Sequence, residues 1–442
     1  MSKLEKKGLV PALRFPEFRD AGEWEGKKIG QISETVTAGG TPSTSEKEYW
    51  GGGIRWMNSG ELNYKRVHEV QGRITENGLR NSSTKIIPKM CILIGLAGQG
   101  KTRGTVAMNM VELCINQSIA AIFPNEDSFY SDFLYHNLNN RYDELRSLSA
   151  GGEGRGGLNL QIIKSLRVPL PSLKEQQKIA DCLTSVDDLI TAQTQKLDAL
   201  KTHKKGLMQQ LFPVEGETVP KLRFPEFGDK GGWEEKPLEK VAIFSKGKGV
   251  SKSDISPNGK QPCIRYGELY THCNETIKTV ISFTDVPVNE LVLSEANDVI
   301  IPASGETEED IATASCVLNS GIALGGDLNI IRSNLNGVFL SYYLNNAKKK
   351  EIARLAQGIS VVHLYSSQLQ RLNINVPGLP EQQKIADCLT SIDELVTAQT
   401  QKLDALKAHK KGLMQQLFPA MDDDCVDAGG RAAQDAKAEV ST

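Results

Sequence analysis

The sequence predicts an α+β protein in which two globular bodies are joined and spaced by two long helices forming an antiparallel coiled coil, with an internal pseudo-twofold repeat. Three observations carry that expectation. The stretch at residues 10–25, VPALRFPEFRDAGEWE, returns at Val219 as VPKLRFPEFGDKGGWE, an offset of 209. Residues 175–213 return at 381–419, an offset of 206, with 35 identities in 39 positions. The four differences (Val186/Ile392, Asp188/Glu394, Ile190/Val396, Thr202/Ala408) are conservative in size or compatible with a helix. Between these shared blocks lie two bodies of divergent sequence, so each half reads as arm, body and rod.

In order along the chain, residues 1–25 form the first arm and 26–165 the first body. This body mixes short β-type runs such as 91–95 with loops rich in Gly, Ser, Thr and Asn and one late helix. Residues 166–213 form the first rod. Stepping by four and three from Ile179 meets Leu183, Val186, Ile190, Gln193, Leu197, Leu200, Lys204, Leu207 and Leu211, with eight of ten positions apolar. That is a coiled-coil seam. The helix starts beyond Pro169 and Pro171 and is closed by Gly206 and Pro213, which makes a rod of roughly 57 Å. Gln193 is either a register-fixing polar group or simply a core-facing or solvated amide.

The second arm is 214–234 and the second body 235–371, with β-type runs at 299–301 and 328–331. The second rod, 372–419, repeats the seam at Ile385, Leu389, Ile392, Val396, Leu403, Leu406, Leu413 and Leu417, with Gln399 standing where Gln193 stands. Because the second arm follows the first rod's end at once, the repeat also predicts the first arm beside the second rod's end. Residues 420–442 hold six acidic and two basic side chains and are expected to be disordered.

Length and composition set the bounds. At 442 residues and 39% hydrophobic, the chain is ordinary globular material with a prior of about three domains. No apolar run is long enough to cross a membrane, and the start lacks a signal-peptide core, so the reading is a cytosolic protein. Eight cysteines without metal-ligand spacing are expected to be reduced and mostly buried. Net charge is −2 overall but about +2 for residues 1–419, so any nucleic-acid surface is a local patch.

Catalytic signatures are sparse. Residues 95–102, GLAGQGKT, satisfy the P-loop pattern after an apolar run. A P-loop needs a helix next, yet RGTVAMNM reads as a hairpin return, and the other half has VIIPASGETEED in that place. A nucleotide site is therefore rejected, leaving Lys101 and Arg103 for phosphates of another kind. The six histidines are scattered, with His203 and His409 expected on solvated rod faces. HExxH, GxSxG, a nuclease-like carboxylate cluster and the Asn/Asp-Pro-Pro-aromatic motif of amino-methyltransferases do not occur. The chain reads as non-catalytic; a P-loop NTPase with coiled-coil arms and a coiled-coil adaptor without a nucleic-acid role stand as the competing classes.

The arm LRFPEF, the loop TAGGTPSTSEKEYWGGGIRWMNSGEL at 37–62, the stretch CINQSIAAIFP at 114–124 and the P-x-L-x-EQQKIA entry to each rod resemble the specificity subunits of type I restriction-modification systems. The resemblance spans the chain up to Pro419. It implies that each body is a target-recognition domain reading half of a bipartite site in double-stranded DNA. The rods are then an antiparallel coiled coil that spaces the domains and docks two modification subunits, with restriction subunits joining through the complex. It also implies that S-adenosylmethionine, ATP and Mg belong to those partners and that no cofactor or membrane is bound here.

Readers of DNA use Arg, Lys, Asn or Gln on base edges and small or hydroxyl residues on phosphates. Residues fitting those roles in the first head are Gly40, Thr41, Ser43, Ser45, Asn58, Ser59, Lys101, Arg103 and Arg155. In the second they are Lys246, Lys248, Ser251, Lys252, Arg265, Tyr266 and Gln357. Tyr49, Trp50 and Trp56 read as loop or core anchors, since duplex DNA offers no unstacked base.

Overall fold

The computed structural model describes residues 9–98, 100–148, 157–358 and 361–419. The acidic tail and Arg155 lie outside those residues. The chain divides into two compact units: one of residues up to 193 together with 402 onward, the other of residues 194–401. That division falls within the rods rather than at the body boundaries 165 and 371.

In the first unit, strands β2 (Val36–Ala38), β4 (Arg66–Val67), β7 (Ile92–Gly95), β8 (Val106–Asn109) and β10 (Ile119–Ile122) form a sheet ordered β2-β10-β7-β8-β4. A second sheet runs β5-β3-β9-β6, made of β3 (Trp50–Met57), β5 (Arg73–Ile74), β6 (Ile86–Ile87) and β9 (Leu113–Ile115). Alternation along the strands sends Ile92, Ile94, Val106 and Met108 into a core with Phe133, Leu134, Ile179, Leu183, Met414, Leu417 and Phe418. Leu93, Ala107 and Ala121 face the other way, onto Met57, Leu62 and Ile115. Both sheet faces are therefore buried, and period two decides which core each side chain joins.

The second unit repeats this plan. Strands β13 (Ala242–Lys246), β15 (Thr276–Ile277), β17 (Asp298–Pro302), β19 (Ser315–Val317) and β21 (Leu328–Ser333) are ordered β13-β21-β17-β19-β15. Beside them stand β14 (Gln261–Ile264), β16 (Ser282–Thr284) and β20 (Ala323–Leu324), ordered β16-β14-β20. The parallel pair β14·β20 matches β3·β9, and the antiparallel pair β14·β16 matches β3·β5. Two bodies of divergent sequence thus share one topology. The single late helix expected in each is instead a short series, at Ser131–Asn140 and Tyr142–Ser147 in one and Gly337–Tyr343 onward in the other.

The rod helices run Leu173–Leu211 and Leu379–Leu417, not from 166 and 372. The residues before them are strands β11 (Arg167–Leu170) and β23 (Asn373–Val376). These pair antiparallel with β1 (Glu25–Lys28) and β12 (Glu234–Pro237), because Pro169 and Pro171 cannot lie inside a helix and the arm offers an open strand edge. Two further short strands, β18 (Ser304–Gly305) and β22 (Val362–His363), pair in the second unit. Every seam position is buried or half-buried, Gln193 being buried and Gln399 half-buried, while His203 and His409 are exposed.

Within the first unit, Lys410 Nζ donates to Asp187 Oδ1 at 2.5 Å, and Leu13 N donates to Gln416 O at 2.9 Å. The matching arm bond in the second unit is Leu222 N to Gln210 O at 2.9 Å. Each arm therefore lies on a rod's C-terminal end.

Beneath this lies a difference between the units. His136, fully buried, sits with Nε2 3.2 Å from Thr184 Oγ1 and Nδ1 4.0 Å from Asp187 Oδ2. Burial, with the charges of Lys410 and Arg66, holds its pKa well below the usual 6.5. A depressed imidazole leaves the fold at full stability above the unfolded value, and that contribution is lost progressively as pH falls from about 6.5 toward the lower folded value. The second unit has Tyr342 at this place, bonded to Asp393. We expect His136→Tyr to remove a decline of up to about 1.4 kcal/mol per pH unit below pH 6.5, read as a smaller pH dependence of the urea midpoint.

The seven described cysteines are free thiols, four of them buried. Burial raises Cys91 and Cys316 to about 12, which leaves them as inert core residues.

Candidate nucleic-acid interface

In each unit three connections meet at one end of the five-stranded sheet. In the first the described residues at that end are those after β2, those after β7 and the pair Gly157 and Leu158. Gly39 N and Gly40 N donate to Ile119 O (3.3 Å) and Ile115 O (2.9 Å), Leu96 N to Ser118 O (2.8 Å), and Leu158 N to Leu96 O (2.8 Å). The second unit repeats the set. Gly247 N and Lys248 N donate to Leu328 O (3.0 Å) and Leu324 O (2.8 Å), Ala303 N to Asp327 O (2.7 Å), and Leu364 N to Ala303 O (3.0 Å). Most residues singled out from sequence fall on these connections.

Their individual roles divide. Gly40 is buried, and a Cβ there would lie 2.2 Å from Ser83 Oγ and 2.6 Å from Thr84 N, so it is a packing glycine rather than a phosphate contact. Asn58 caps Ser59–Tyr64: its Oδ1 accepts from Gly60 N at 2.8 Å and its Nδ2 donates to Glu61 Oε2 at 3.0 Å. Ser251 is likewise occupied, its Oγ donating to Asp254 Oδ2 at 2.6 Å. Arg265 is half-buried and paired with buried Glu268 at 3.3 Å. Tyr266 packs against Tyr270 with centroids 6.4 Å apart. Each of these residues thus already has a capping, pairing or packing partner within its own head.

Other candidates stay presentable. Thr41 bonds Gln117, while Ser43 and Ser45 are exposed with their hydroxyls 2.7 Å apart. Ser59 and Arg103 are half-exposed, and Lys101, Lys246, Lys248, Lys252 and Gln357 are exposed. Trp50 Nε1 donates to Ser43 O (3.1 Å) and Trp56 Nε1 to Gly40 O (3.0 Å), the two rings meeting edge to face at 5.1 Å. The tryptophans thus brace the connection after β2 from beneath.

The P-loop-like run leads through a turn at residues 100–104 into a strand. After Thr102 the chain passes through Gly104, at φ +78°, into β8, which pairs antiparallel with β7. Tyr142 OH donates to Lys101 O at 3.1 Å and Thr105 Oγ1 to the same oxygen at 2.6 Å. A strand in place of a helix presents no convergent N–H groups to a phosphate.

Sequence reasoning missed one cluster. In the second unit a cleft of about 210 Å³ is lined by Lys246, Ser304, Asp327, Asn329, His363 and Tyr365, among others. Of these residues only Lys246 is singled out from the sequence; the signal for the others is the run His363-Leu-Tyr-Ser-Ser. Among the described residues no group of His, Cys, Asp and Glu could hold a metal ion, and no helix is long and apolar enough to cross a membrane.

Against known proteins, the model of the type I restriction modification DNA specificity domain matches twice, at residues 21–202 and 230–408. The MjaIX type I restriction enzyme specificity subunit of Methanocaldococcus jannaschii is 29% identical over 415 residues, covering 89% of this chain and 92% of that one. The EcoR124I/EcoR124II specificity subunit of Escherichia coli is 30% identical over 179 residues, 40% of this chain and 44% of its own. Among solved structures, the S subunit of the type I restriction-modification system from M. genitalium aligns with TM-score 0.59 at 16% identity, over 94% of this chain and 100% of that one. At that identity the likeness is one of fold.

Proposed function

Because the chain belongs to the family of type I restriction-modification specificity subunits, we propose that each of its heads reads one half of a bipartite site in double-stranded DNA. The rods set the spacer and dock two modification subunits, and restriction subunits join through that complex. Methyl transfer from S-adenosylmethionine and ATP- and Mg-dependent steps are the partners' chemistry, and the assembly works in the cytoplasm.

One observation carries this reading. The DNA specificity match occurs twice, and each occurrence covers a head with the same sheet order but different side chains on its end connections. A constant frame with divergent tips is what reading two different words requires.

Replacing residues 26–165 with the first head of another member is expected to change one half of the methylated motif, mapped in cells that also express the modification subunit. Alteration of both halves, or a wild-type site that is one uninterrupted word, would overturn the reading.

A further inference from the structure

Resting on that reading, we propose that the cleft of the second head is a base-reading centre in which His363 meets one base edge of that head's half-site, with Ser304 and Asn329 as its positioning residues. An exposed histidine on a connection ordinarily keeps its rotamer freedom and loses it on binding. The backbone of His363 is instead paired along both edges. Its N–H donates to Gln357 O at 2.8 Å and its carbonyl accepts from Gln357 N at 3.0 Å, while β22 pairs it with Ser304 on the other side. Ser304 Oγ lies 3.1 Å from Nδ1, leaving Nε2 for an incoming edge, and the ring stacks on Tyr365 at 6.5 Å.

Beneath, buried Asn329 locks the following residues: its Nδ2 donates to Leu364 O at 2.9 Å and its Oδ1 accepts from Ser366 Oγ at 2.9 Å. A ring fixed before binding is what base discrimination needs.

The rest of the lining narrows the ligand. Lys246 supplies a cation suited to a backbone phosphate. Asp327, exposed in the same cleft, is an acceptor only. It repels a free anion and opposes guanine O6/N7 and thymine O4, while it can accept from adenine N6 or cytosine N4. The base taken is therefore adenine or cytosine.

Among the described residues the first head has no counterpart of His363. Leu158 holds the bond to Leu96 O that Leu364 makes to Ala303 O, and the residue preceding Leu158 is Gly157, without a side chain. The effect is confined to one half-site.

The test uses the assembled methyltransferase and duplexes carrying every single-base change of the wild-type motif. His363→Ala should cut discrimination roughly 5- to 150-fold at one position of one half, and leave the other positions intact. Ser304→Ala should weaken discrimination at that same position, and Asp327→Asn, whose amide can donate, should admit guanine or thymine there. Lys246→Ala should weaken binding to all duplexes alike and reduce its salt dependence. Wild-type discrimination at every position in His363→Ala sinks the proposal while a bipartite wild-type motif keeps the parent reading standing. Loss of the whole half-motif in both His363→Ala and His363→Asn, with lowered melting, would make His363 structural and sink it too. A wild-type motif that is not bipartite overturns the parent reading instead.

Discussion

Glu381→Ala is expected to lower the unfolding free energy by about 3–5 kcal/mol, as removal of one partner from a buried ion pair does. Arg223 and Glu381 meet in a two-pronged pair, Nε to Oε1 at 2.8 Å and Nη2 to Oε2 at 2.8 Å, with side chains only 9% and 3% exposed. Arg223 Nη1 also donates to Lys230 O at 2.6 Å, and Trp233 Nε1 donates to Glu381 Oε1 at 3.2 Å. Without the carboxylate, the guanidinium keeps only backbone carbonyls as acceptors, and its buried charge and the indole N–H lose their partner. The first unit has the same grip, Arg14 on Glu175 at 2.7 and 2.8 Å, but there Trp24 Nε1 has no hydrogen-bond partner. Glu175→Ala should therefore cost less than Glu381→Ala. Urea melts of the two variants and of Arg223→Met with Glu381→Met decide it. If the double apolar replacement is no more stable than Glu381→Ala alone, the unpaired charge is not the cause.

Gly247→Ala is expected to cost about 3 kcal/mol and to erase the second head's half of the methylated motif while sparing the other. Its φ is not in the left-handed region, so conformational freedom is not the issue. Space is: a Cβ would stand 2.1 Å from Gly325 O and 2.5 Å from Leu324 O, backbone that is tied into β14·β20. The equivalent Gly39 is tighter still, with Ile115 O at 1.8 Å, and its replacement should erase the first half instead. Gly412→Ala is the control, since nothing lies within 4 Å of its Cβ and a rod interior gains up to about 1 kcal/mol from the change. A full motif in the Gly247→Ala protein would show that the connection after β13 does not set the reading surface.

Much of the frame could be read directly. Rod lengths, seam and arms follow from local periodicity, proline placement and the repeat, because a coiled-coil seam needs only sequence spacing. What the shared motifs do for each other could not be read. LRFPEF and EQQKIA recur together because Arg14 grips Glu175 and Lys178 reaches Glu17 at 3.2 Å, a grip repeated by Arg223 with Glu381 and Lys384 with Glu226. The strand order that the two heads share is not legible for a related reason: a sheet buried on both faces accepts any apolar side chain of suitable size.

At the tips the division between sequence and structure is clearest. Residue type alone marked Asn58, Ser251 and Gly40 as readers, yet polar and small residues serve capping and close packing with the same chemistry, and only the fold says which. His363 is unremarkable in the sequence, and only the fold pairs its backbone with Ser304, sets that serine's hydroxyl against its ring and places it in a cleft with an aspartate and a lysine. Two copies of arm, head and rod, and the family they belong to, are legible from the residues alone, since those rest on short-range patterns that survive duplication. The fold alone shows which loop side chains are engaged within a head and which stay exposed. That depends on hydrogen bonds and contacts between segments far apart in the chain, for which a linear pattern carries no signal.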